Sequence, residues 1–193
     1  MRMRALILSL LALAGCAVVP RSAPSQDQFY ARLRALCGQA YEGRVVTNDE
    51  ADRSMAAARL VIQIRSCSDD QIAIPFHVGN DHGRTWIVRR AMAGLQLVHE
   101  HRRADGVEET VSGYGGDATG SGNPRRQEFP ADRHSRDLFV RENLAPSITN
   151  AWAIEIVPGR VLAYELTRPG RHLRIEFDLS RPAPAPPPPW GER

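Results

Sequence analysis

The chain reads as a mainly β protein: an antiparallel meander of eight to ten strands after one N-terminal helix, with the sheet closed into a barrel. Three observations predict this. Apolar and polar residues alternate over most of the stretch from residue 41 to residue 179, the two-residue period of strands with one buried face. Short turns bearing glycine or proline separate the alternating runs, so strands adjacent in sequence pair as hairpins. A sheet of this size removes its unpaired edges most completely by closing on itself. A two-sheet sandwich is the alternative that satisfies the same pattern.

The elements follow in order. Ser25 and, three residues later, Gln28 have the spacing of a capping box, and Phe29, Leu33, Leu36 and Cys37 then share one helical face. Gly38 can end that helix. Residues 41–46 form the first strand, and the alanine-rich stretch 49–58 a short helix. Strands are expected at 60–66 and 71–78, where Pro75 marks an edge, a bulge or a strand end. Residues 84–90 follow an Asn80-Asp81-His82-Gly83 turn, 95–102 follow Ala93-Gly94, and 109–114 follow Ala104-Asp105-Gly106. A third short helix is expected over 137–143. Trp152, Ile154 and Ile156 then pair with Leu162, Tyr164 and Leu166 through Pro158-Gly159. Beyond Pro169-Gly170, Leu173, Ile175, Phe177 and Leu179 point inward on the last strand.

The N-terminus speaks of compartment. Arg2 and Arg4 precede an apolar run over 5–13, which falls well short of the roughly 20 residues that span a bilayer. A positive start, a short apolar core and small residues before a cut describe a secretory signal. The run closes on Leu13-Ala14-Gly15-Cys16, which resembles the lipobox of bacterial lipoproteins. That resemblance implies a signal peptide over 1–15, cleavage before Cys16 and lipid attachment at the Cys16 thiol, with 16–25 as lipidated N-terminus and tether. Ala17, in place of the aspartate that retains such proteins at the inner membrane, favours the outer membrane, facing the periplasm.

Composition bounds the remainder. Without Arg2 and Arg4 the 25 basic residues fall to 23 against 22 acidic ones, a formal charge of +1, so charge gives no argument for nucleic acid. Every basic residue is arginine. Export suits a Cys37–Cys67 disulfide, whose loop of about 30 residues would contribute roughly 3–4 kcal/mol on the chain-entropy model. Residues 26–181 make a single β-rich domain, and the Pro-Ala-Pro-Ala-Pro-Pro-Pro-Pro run makes 182–193 a disordered, polyproline-like tail. The domain resembles the calycin group, meaning lipocalins and fatty-acid-binding proteins, in topology only. No lipocalin Gly-x-Trp stands near its first strand.

Catalytic signatures are sparse. His99 and His101, two apart on a strand, share the inward face of Leu95 and Leu97; they are the best residues for an enzyme reading or a zinc site, yet lack the helical His-Glu-x-x-His motif and an evident third ligand. His77 and His82 complete the set of candidate metal ligands. The glycine-rich run over 114–122 lacks the Gly-Lys-Ser/Thr ending of a phosphate loop and reads as a mobile connection. Ser112 and Ser121 lack a nucleophile elbow, and Asp105, Glu108 and Glu109 sit in a solvated turn. Inward aromatics Phe76, Trp86, Trp152, Tyr164 and Phe177, with Arg90, His99 and His101 at their rim, describe either a packed core or the wall of a small-molecule site. The expectation is therefore a lipid-anchored, non-catalytic module without metal or cofactor, binding a small apolar ligand inside a barrel. The alternative is an envelope interaction module with a filled core, meeting a protein partner through its outer face or proline tail.

Overall fold

The computed structural model describes residues 25–91, 94–120 and 122–192. The expected signal segment, Cys16 and all of the tether but Ser25 lie outside the described residues, as do Ala93 and Ser121. Helix α1 spans Ser25–Arg34 and buries Phe29, Tyr30 and Leu33; Asp27 in its first turn and Arg32 and Arg34 in its last complement the helix dipole. The chain turns at Gly38 with φ 83°. Beside it Cys37 is bridged to Cys67 with the Cα atoms 6.3 Å apart, within the usual disulfide range.

The strands are β1 (Ala40–Val45), β2 (Leu60–Gln63), β3 (Ser66–Cys67), β4 (Gln71–Val78), β5 (Asp81–Ala91), β6 (Gly94–His101), β7 (Tyr114–Asp117), β8 (Arg126–Pro130), β9 (Ala151–Val157), β10 (Val161–Arg168) and β11 (Arg171–Ala183). A 3-10 turn Glu50–Asp52 and helix α2 (Arg53–Ala56) follow β1, while helix α3 (Arg133–Arg141) and a 3-10 turn Ala145–Thr149 follow β8. Hydrogen bonds run in the order β7-β6-β5-β4-β2-β1-β11-β10-β9-β8, with β3 attached to β4. Every pair is antiparallel. First and last strands meet in mid-sheet, and the two ends of the path, β7 and β8, approach each other. There the Thr119 N–H donates to the Glu128 carbonyl at 2.9 Å and the Asp132 N–H to the Gly115 carbonyl at 3.0 Å. The sheet is thus one nearly closed barrel, and the sandwich alternative does not apply.

The seam corrects the reading of the glycine-rich run. A Cβ on Gly116 would lie 1.8 Å from the Pro130 carbonyl oxygen, and one on Gly115 1.8 Å from that of Leu97. Glycine here lets two backbones approach, so Tyr114–Asp117 is strand β7 rather than a mobile loop. The strand expected at 109–114 gives way to an irregular crossing. Strand β8 escaped notice because its inward positions are Gln127 and Phe129, both fully buried, and a buried glutamine breaks the apolar alternation. Pro75 sits where β2 gives way to β3 along β4, between the pairs Ile62↔Phe76 and Ser66↔Ala73. No ladder donor is needed at that break.

The tail also differs from expectation. Strand β11 continues through Pro182 and Ala183, paired with Tyr41 and Ala40. The proline run then returns over the outer face of β4–β6, where Pro189 is buried and Trp190 half-buried. The Trp190 N–H donates to the His82 carbonyl at 3.0 Å, Glu192 pairs with Arg65 at 2.6 Å, and Gly83 leaves room for the indole, since a Cβ there would meet it at 2.9 Å. An aromatic anchor on a glycine shelf is what holds a segment that proline content alone would leave unpacked.

Candidate functional site

Helix α1 closes the barrel end formed by the β5–β6 turn; its Gln26 amide accepts from the Leu95 N–H at 2.9 Å and donates to the Gly120 carbonyl at 2.7 Å. The opposite mouth, where β10 turns into β11, opens into a cavity of about 320 Å³, near the lower limit for small-molecule sites. Strand alternation supplies its walls: Phe76 from β4, Trp86 from β5, His99 and His101 from β6, Tyr114 from β7, Trp152 from β9 and Tyr164 from β10. Trp86 stacks on Tyr164 with centroids 4.2 Å apart and on Phe76 at 4.7 Å. Phe139 of α3 and Met55 of α2 add to the lining.

A hydrogen-bonded chain fixes the polar groups among these rings. His99 Nδ1 lies 3.2 Å from the Tyr114 carbonyl and its Nε2 2.9 Å from the Tyr164 hydroxyl. A carbonyl only accepts, so Nδ1 carries the proton and Nε2 accepts from Tyr164. The Tyr114 hydroxyl in turn meets His101 Nε2 at 2.9 Å. Burial pushes the His99 pKa down to about 3, helped by the neighbouring His101. Burial, with Arg84 nearby, takes His101 to about 4. Burial also raises Tyr114 to about 12 and Tyr164 well above its ordinary value. All four are therefore neutral at pH 7, and the imidazoles are weak bases spent on tyrosine partners.

Around the mouth lie three arginines. Arg84 pairs with Asp81, and Arg171 holds Asp52 at 2.5 Å and Asp49 at 2.9 Å. Arg168 instead meets two neutral oxygens, Ser147 Oγ at 3.1 Å and Asn150 Oδ1 at 3.3 Å.

Of the residues expected to line a site, Phe76, Trp86, His99, His101, Trp152 and Tyr164 come together. Arg90 does not. Along β5–β6 Arg84 faces His101 whereas Arg90 faces Leu95, so the strand's length carries Arg90 to the closed end, where it pairs with Asp27 and lies 4.4 Å over the Tyr30 ring. Phe177 is core beneath the site, edge-on to Phe76 and Trp86 at 6.1 and 6.2 Å. Sequence reasoning missed Arg84, Tyr114, Arg168 and Arg171. Extending the inward alternation two residues past Leu166, and two before Leu173, would have found the last two. His77 and His82 lie apart from the cavity, with rings 4.7 Å from each other near Trp190. Both ring nitrogens of His77 are buried without a hydrogen-bond partner among the described residues. Among the described residues no three histidine, cysteine or acidic side chains form a metal-binding group. Comparison with known proteins gives no matching family model, no matching curated protein and no matching solved structure.

Proposed function

We propose that the protein is a non-catalytic lipoprotein, attached to the membrane through Cys16 and facing the periplasm, that binds a small apolar ligand in the mouth of its barrel. The observation that carries the reading is the cavity: the interior is packed below Trp86, yet its aromatic walls stay open toward the mouth. Apolar walls with a few fixed polar groups suit a ligand held by burial and oriented by hydrogen bonds. The neutral histidines and tyrosines, each satisfied by the other, favour binding over proton transfer. The interaction-module alternative keeps the outer face and the exposed part of the proline run, while the end of the tail, at Trp190 and Glu192, is seated on the barrel.

Native mass spectrometry of the protein released from membranes tests this. A small mass that co-purifies and is lost on denaturation is expected; an apo mass that stays apo after incubation with medium-chain lipids would end the carrier reading. The anchor is tested separately. Cys16→Ser should move the protein from the membrane to the soluble fraction, and unchanged fractionation would remove the lipid attachment.

A further inference from the structure

We infer that the ligand carries one negative charge, a carboxylate-type head gripped by Arg168 at the barrel mouth with its apolar part against Trp86 and Tyr164. The inference rests on the carrier reading above and adds the chemistry of the head. The partners of the three mouth arginines carry it. Arg84 is matched by Asp81, and Arg171 by Asp49 and Asp52. Arg168 lines the same cavity, yet no carboxylate lies within salt-bridge distance of it among the described residues. Its Nη1 is held by Ser147 and Asn150, which orients the guanidinium while leaving Nη2 and Nε without an acceptor among the described residues. Those two N–H groups are the edge of a guanidinium that takes a carboxylate in two parallel bonds.

Placement supports the same conclusion. Arg168 and Tyr164 lie on the inward face of β10, with Leu166 between them. A ligand with its head on Arg168 therefore runs its tail past Leu166 toward the Trp86–Tyr164 stack. Arg168 presents one free guanidinium edge, which takes one carboxylate.

The test uses the full chain with Cys16→Ser, which carries no acyl chain to compete, and reads tryptophan fluorescence, since Trp86 and Trp152 line the cavity. Decanoate and decanol are titrated at pH 8. Decanoate is expected to bind about tenfold or more tighter than decanol, the usual worth of a charge-assisted pair. Arg168→Gln should abolish that preference, and Arg168→Lys should restore part of it. Equal affinity of the unsubstituted protein for acid and alcohol overturns the charged head while leaving the carrier reading intact, and needs no folded variant. A preference that survives Arg168→Gln overturns the assignment to Arg168. Binding of neither probe overturns both.

Discussion

Two buried histidines on the same sheet, His99 and His77, have met burial in opposite ways. His99, 2 % exposed, lies inside the barrel with both ring nitrogens bonded. His77, 3 % exposed, lies on the outer face in the neighbourhood of Trp190 with neither nitrogen bonded among the described residues. Burial is the main cause of a lowered pKa at each, to about 3 and about 4 respectively. The difference teaches that depth alone does not fix an imidazole. Inside the barrel two strands, β7 and β10, supply partners and a defined tautomer. On the outer face a desolvated side chain lies beside a strap of chain, in edge-on contact with the His82 ring but with no hydrogen bond among the described residues.

Acid gives the largest expected effect, and it strikes both. A histidine whose folded pKa lies below its unfolded value binds more protons when unfolded. Its contribution is present above about pH 6.5 and is lost as pH falls toward the folded pKa. Stability should therefore drop by roughly 1.4 kcal/mol per pH unit for each of His77 and His99 between about pH 6 and 4, read from urea unfolding at a series of pH values. A flat profile over that range would mean that neither is buried neutral.

Tyr164→Phe separates the two histidines. It strips His99 Nε2 of its donor and should cost about 1–3 kcal/mol, with no change at His77. Truncating Trp190 to alanine should act the other way, lowering stability by about 1–2 kcal/mol. It should also shift the His77 imidazole resonances toward an ordinary titration by NMR, leaving those of His99 in place. The smallest change expected is at His77 itself. Because its nitrogens have no hydrogen-bond partners among the described residues, His77→Leu should be neutral or stabilising by up to about 1 kcal/mol, whereas His99→Leu, which orphans the Tyr164 hydroxyl, should destabilise. Equal costs for the two leucine variants would erase the contrast.

Much of the barrel was legible in the sequence. The Leu162–Leu166 and Leu173–Leu179 runs and the Gln71–Val78 run each keep strict alternation, and they became β10, β11 and β4 with the expected faces inward. What escaped were elements whose reasons lie elsewhere in the chain. Gly115 and Gly116 are strand residues only because Leu97 and Pro130 come so close. Gln127 can sit in the core because its amide donates to the Asn123 carbonyl at 2.9 Å. The site was half legible for the same reason: inward parity picked out Trp86, His99 and Tyr164, while position along the strand, which separates Arg84 from Arg90, was not visible.

The sequence by itself pointed to the faces of β4, β10 and β11, to the hairpins from β4 to β6 and from β9 to β11, and to the pairing of Cys37 with Cys67, because alternation, turns and cysteine number are local or countable properties. Only the tertiary structure decided which end of the barrel is plugged by α1 and which stays open. It alone matched Arg84 and Arg171 to carboxylates and left Arg168 with neutral partners, and it alone brought Trp190 down onto Gly83. These depend on register and on contacts between residues far apart in the chain, as in the Arg171–Asp52 pair at a separation of 119, where no local pattern carries the information.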